Sequence, residues 1–151
     1  MFELIFFSIL SVIIVTPCGY FFKKHDNNIT NLSNYLIYGI ILISFITLVI
    51  NFFFPLNHFV NTLILILPIL IIFKNIKTYL SINFLKFLIF NVIIIVLLVS
   101  KSNIYRPDAI LYHLPYTSIL NNEKIIFGLS NIHFRFAHIS IIQYFSAFFN
   151  N

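Results

Sequence analysis

Charge is what this chain has least of. Only 9% of its 151 residues are Asp, Glu, Lys or Arg, against about 25% in an ordinary globular protein. A soluble domain of this size leaves most of its residues in contact with water, so a chain that is 60% hydrophobic cannot hide its apolar surface by folding alone. Cysteine is nearly absent: Cys18 is the one example, which excludes an internal disulfide and any cysteine-based metal site. Tryptophan is missing and glycine is scarce, with three residues. The net charge of +5 comes from basic residues scattered singly between apolar runs, which fits membrane flanks and excludes a nucleic-acid stripe.

What is present is apolar length. Runs at about 2–22, 35–54, 59–73 and 84–100 approach the roughly 20 residues that cross about 30 Å of hydrocarbon. The chain therefore reads as all-α, with about four transmembrane helices. The twenty Phe residues read as lipid-facing bulk rather than as an aromatic site. The first run contains Pro17 and Gly19, which membrane helices tolerate. Val15-Thr16-Pro17-Cys18 is a poor lipoprotein box, because Pro17 occupies the small-residue position and Glu3 replaces the basic start of a signal peptide. The residues from Lys23 to Asn34 read as a polar loop, and Pro55 ends the second run. The third run, Phe59 to Phe73, is short and contains Pro68; it either spans with its flanks or lies as a kinked interfacial helix. Asn91 is the one strongly polar residue inside the fourth run, and Lys86 near its start can snorkel to the interface.

Lysine and arginine set the expected orientation. Four spans place Lys101, Arg106 and Lys124 on the side of the N-terminus, and Lys23, Lys24, Lys74, Lys77 and Lys86 on the other. The positive-inside rule assigns the second group to the cytoplasm of a bacterial inner membrane. The N-terminus and residues 101–131 are then extracytoplasmic.

Chemistry concentrates after Lys101. Residues 101–131 read as a loop with a short helix, and residues 132–151 as a last helix with Asn131 at its N-cap. Pro115 cannot donate back to Leu111, so a helix from Asp108 must kink or restart there. Along the last helix, Arg135, His138, Gln143 and Ser146 fall on one face at 100° per residue. That stripe is either an interfacial or helix-facing polar side, or the lining of a cavity in which Arg135 holds an anionic group. Asp108 is one of four acidic residues and can serve as a general base, or simply as a helix-capping carboxylate. No pair among His113, His133 and His138 has the i, i+4 spacing of a helical zinc motif, so no metal site is expected from histidine.

The stretch from Arg106 to Ala147 resembles a segment of bacterial polytopic membrane proteins that look like GT-C glycosyltransferases. The matching features are Asp108, Tyr112-His113, Asn122-Glu123, Gly128-Leu129-Ser130-Asn131-Ile132-His133 and Arg135-Phe136. The resemblance implies transfer of a sugar from a polyprenyl-phosphate donor, with Asp108 as the catalytic carboxylate. It also implies His133 and Arg135 near the donor phosphate or the lipid-facing entrance. With the polar stripe, this makes His113, His133, Arg135 and His138 the candidate substrate-binding side chains. Ala109 follows Asp108 where such loops carry a second acid, so no cofactor is expected and a divalent cation has no support. GT-C enzymes have many more helices, which implies an N-terminal fragment that is inactive alone and is completed by a downstream polypeptide. The other readings are a non-enzymatic transporter, flippase or assembly subunit, and a truncated product without function. Membrane lipids are expected partners on any of these readings, and nucleic acid is not.

Overall fold

The computed structural model describes residues 2–22, 28–101, 109–131, 136 and 140–150, and these form helices and turns with no β-strand among them. Helix α1 (Phe2–Cys18) runs into a 3-10 turn, Gly19–Phe21. Helix α2 (Ile29–Asn51) and α3 (His58–Lys74) follow, then the single turn α4 (Ile76–Tyr79) and the long α5 (Ile82–Lys101). Beyond them come one π-type turn (Ala109–His113), α6 (Leu114–Asn122), a 3-10 turn (Leu129–Asn131) and α7 (Ile141–Phe149). The all-α expectation holds. Three stretches, Phe2–Phe21, Ile29–Asn51 and Ile82–Lys101, are long and apolar enough to cross a membrane, and α3 is a shorter apolar helix of 17 residues. Pro68 sits inside α3 and does not end it.

Polar side chains within these helices return their hydrogen bonds to their own backbone. Ser8 donates to the Leu4 carbonyl at 2.6 Å, Thr16 to Val12 at 2.7 Å, and Thr47 to Ile43 at 2.8 Å. Asn91 does the same with Phe87 at 2.8 Å. An unpaired hydroxyl or amide in an apolar medium costs several kcal/mol, so this back-bonding lets polar residues sit in an apolar helix.

Three limits of the apolar helices differ from the sequence expectation, the first being the end of α1, which gives way to the 3-10 turn after Cys18 rather than running to residue 22. Helix α2 starts at Ile29, six residues before Tyr35, because Leu32 and Tyr35 are both fully buried on one face and need a helical turn to align them. The Leu32 amide donates to the Asn28 carbonyl at 3.0 Å and Ser33 Oγ to Ile29 at 3.2 Å, so the asparagine-rich stretch is first-turn helix from Ile29 onward. At its other end α2 stops at Asn51, and Phe52–Phe54 turn before Pro55.

The chain divides into two compact units, Met1–Leu42 with Leu65–Asn103, and Ile43–Ile64 with Ile104–Asn151. The first is built on Val12, Leu32, Tyr35, Phe84 and Phe87, with the Tyr20 ring edge-on to Tyr35 at 4.8 Å. Within it α1 and the 3-10 turn that follows it meet α2 backbone to backbone at two glycines. A Cβ on Gly19 would collide with the Tyr35 carbonyl, and one on Gly39 with the Val15 carbonyl. Small residues at such crossings are how membrane helices gain packing without a hydrophobic driving force. The second unit is built on Leu56, Tyr116, Leu120, Leu129, Tyr144 and Ala147.

Replacing Gly39 by leucine is therefore expected to pry α1 from α2 and destabilise the protein by about 1–3 kcal/mol. Thermal unfolding in detergent, compared with a leucine at the exposed Tyr38 position, measures it.

Candidate functional site

The second unit is held by two buried asparagines. Asn51 closes α2 and turns its Nδ2 toward three carbonyls, those of Glu123 (3.0 Å), Leu120 (3.3 Å) and Phe54 (3.3 Å). Asn61, in the first turn of α3, donates to Leu56 (3.0 Å) and to the α7 carbonyl of Ala147 (3.3 Å). Backbone bonds from Leu56 N–H to Leu120 O and from Ile125 N–H to Asn51 O, both 2.9 Å, complete the frame. Carbonyls at helix ends have no intrahelical donor, and here side chains supply it. The Oδ1 atoms of both asparagines are buried without a hydrogen-bond partner.

On this frame α6 and α7 bring His113 and Gln143 together. Pro115 occupies the first turn of α6, where no N–H is required, and the expected kink or restart takes the form of a change from the π-type turn to α6 through a His113 that is itself helical (φ −69°, ψ −49°). Helix α7 opens with a capping box. Ser140 is extended (φ −102°, ψ 139°), its Oγ accepts from Ile142 N–H, and Gln143 Oε1 accepts from Ser140 N–H at 3.1 Å. That reciprocal bond leaves Gln143 Nε2 facing His113 Nδ1 at 3.2 Å. The amide N–H donates, so Nδ1 accepts and the imidazole proton rests on Nε2. The Tyr112 ring lies against the imidazole at 4.2 Å.

A cavity of about 370 Å³ opens beside this pair, lined on its polar side by His113, Thr117, Ser140, Gln143, Ser146 and Asn150. Its polar groups are hydroxyls, amides and an imidazole. A second cavity of about 370 Å³ lies against the Tyr116 and Tyr144 rings, with Lys124, Gly128, Ser130 and Phe136 among its walls. The two tyrosine hydroxyls share a hydrogen bond, and burial pushes both above their ordinary value of 10.0.

Of the residues chosen from sequence, the structure describes His113; Asp108, His133, Arg135 and His138 lie outside the described residues. The last helix is corrected. It begins at Ile141, not Ile132, because Ser140 is extended and caps it. Of the expected polar stripe, Gln143 and Ser146 lie on this helix, and Arg135 and His138 fall outside the described residues. Asn131, expected as the N-cap, instead closes the 3-10 turn through its amide to Gly128 O at 2.9 Å. Gln143 is buried against His113 while Ser146 is exposed, yet both reach the same cavity. Ser140-x-x-Gln143 is a legible capping-box pattern and would have located this helix start. Asn51 and Asn61 carry no comparable signal in an asparagine-rich chain. Among the described residues no group of three or more His, Cys, Asp or Glu could hold a metal ion.

Nitrogen NMR of histidine-labelled protein is expected to show neutral His113 as the Nε2–H tautomer, and Gln143→Leu to shift it toward a tautomer mixture. Alkaline pH probes the tyrosine pair. Because the fold favours the protonated phenols, their contribution to stability is complete below pH 10, the unfolded value, and falls as pH rises through the higher folded values. Alkaline unfolding followed by tyrosinate absorbance should move to higher pH in the Tyr116→Phe, Tyr144→Phe double variant, relative to its own stability at neutral pH.

No curated protein and no solved structure matches the chain. A family model does, over its whole length: the chain belongs to the family described as Domain of unknown function (DUF8201), matched across residues 1–151.

Proposed function

We propose that this chain is a four-span membrane protein working as a component of a GT-C-like glycosyltransferase, with a polyprenyl-phosphate sugar as donor and Asp108 as catalytic carboxylate. The observation that carries the reading is the cavity at His113. Its hydroxyl, amide and imidazole groups suit the hydroxyls of a sugar, and the Gln143 contact leaves His113 Nε2–H free of that bond and able to donate. By the resemblance, His133 and Arg135 add the contacts to phosphate.

Four spans, rather than three, are supported by hydrogen-bond closure. The turn after α2 is bonded to α6 and to the residues that follow it, through Leu56 to Leu120 and Ile125 to Asn51. Those segments share one face of a bilayer, so the chain between them crosses an even number of times. Helices α3 and α5 supply the two crossings. At 1.5 Å per residue the 17 residues of α3 rise about 26 Å, a shortfall that slight local thinning absorbs. With the lysine asymmetry, this supports an inner-membrane topology in which the N-terminus and residues 101–131 face away from the cytoplasm.

Membranes carrying the protein together with the downstream polypeptide that completes the bundle, supplied with radiolabelled polyprenyl-phosphate sugars, should transfer sugar, and Asp108→Asn should lower transfer by about 100-fold or more. Retained function in that variant, with no transfer in either, would identify a non-enzymatic transporter, flippase or assembly subunit. A reporter placing residue 108 in the cytoplasm would end the glycosyltransferase reading.

A further inference from the structure

The loop after α6 carries apolar side chains outward on a pinned backbone. At its start, Asn51 Nδ2 holds the Glu123 carbonyl (3.0 Å) and the Asn51 carbonyl accepts from Ile125 N–H (2.9 Å). At its end, Gly128 adopts φ +87° and its carbonyl accepts from Asn131 N–H at 2.9 Å. A side chain at that φ is strained, which suits glycine to the turn. Between these anchors Ile126 is 44% exposed and Phe127 86%, the highest exposure of any large apolar side chain among the described residues. Chain disorder does not account for this exposure, because the backbone on either side is fastened.

The residue that fastens the loop also tells where the loop lies. Asn51 is the last residue of α2, a candidate span of 23 residues whose rise of about 35 Å slightly exceeds the hydrocarbon thickness of about 30 Å. Its end therefore falls at the membrane boundary, and the loop is one hydrogen bond away. Phe52, Phe53 and Phe54, all exposed, follow Asn51 in the same unit. Exposed Lys124 stands beside the apolar tip, able to meet lipid phosphates while Phe127 enters the acyl region.

From these placements we propose that Ile126 and Phe127 insert into the adjacent leaflet, making residues 123–129 a membrane-interface anchor whose partner is the lipid bilayer. The cavity walled by Lys124, Phe127 and the Tyr116–Tyr144 pair then opens at headgroup depth, within reach of lipid rather than of bulk water alone.

This rests on reading α2 as a span, so the test probes both. Cys18, the sole cysteine, is replaced by serine, and Phe127→Cys and Ile41→Cys variants are labelled with an environment-sensitive fluorophore in the full chain in phospholipid vesicles. Position 127 tolerates the change because its side chain packs on little. Expected is quenching of the 127 label by about two-fold or more with headgroup-proximal nitroxide lipid, and little quenching by aqueous iodide. Iodide quenching at 127 with lipid quenching at Ile41→Cys overturns the anchor and leaves the span standing. Shielding of 127 from both quenchers means that protein covers the loop, which also overturns the proposal. Iodide quenching at both sites overturns the anchor and the membrane reading together.

Discussion

A peptide group surrounded by hydrocarbon has no water to bond, so every donor and acceptor in the apolar part of this chain has to be satisfied from within. Most of the architecture follows from that requirement. It is why the apolar runs are helical and why Ser8, Thr16, Thr47 and Asn91 fold back on carbonyls of the preceding turn. It also explains where side chains take over from backbone. Carbonyls at the end of α6 and in the turn after α2 lack intrahelical donors, and the Asn51 amide reaches three of them, those of Leu120, Glu123 and Phe54.

That same asparagine links architecture to chemistry. By gathering Phe54, Leu120 and Glu123 it sets the level of α6, and Asn61 sets α7 through Ala147. With both helices fixed, the capping box of α7 decides which way Gln143 points, and Gln143 decides which nitrogen of His113 carries its proton. The cavity is thus assembled by a relay of local hydrogen bonds, each of a kind met in soluble proteins. The relay starts on the apolar helices, at Asn51 and Asn61, and ends in the segment beyond Lys101.

Much of the helical part was legible in sequence. The ends of α3 and α5 and the start of α1 fall within two residues of the apolar runs, because hydrophobic length alone sets a span. Helix α2 was less legible at its start. Asn28 to Asn34 look like a loop by composition, and burial of Leu32 and Tyr35 against the partners of one compact unit overrides that composition. The start of α7 was misjudged for a different reason. Polar residues at helical spacing do not reveal where a helix starts, and extended Ser140, with its reciprocal bond to Gln143, sets the start of α7 at Ile141.

Composition and the order of apolar runs were enough to determine a helical chain with stretches able to cross a membrane, since transfer of side chains to lipid is close to additive along a sequence. They also located the chemically varied segment after Lys101. Tertiary structure alone decided that the turn after α2 bonds to α6, that His113 meets Gln143 thirty residues away, and that Phe127 is held outward on a fastened loop. These depend on which particular asparagine, carbonyl or amide finds which partner. In a chain rich in asparagine many pairings look alike in one dimension, and packing selects among them.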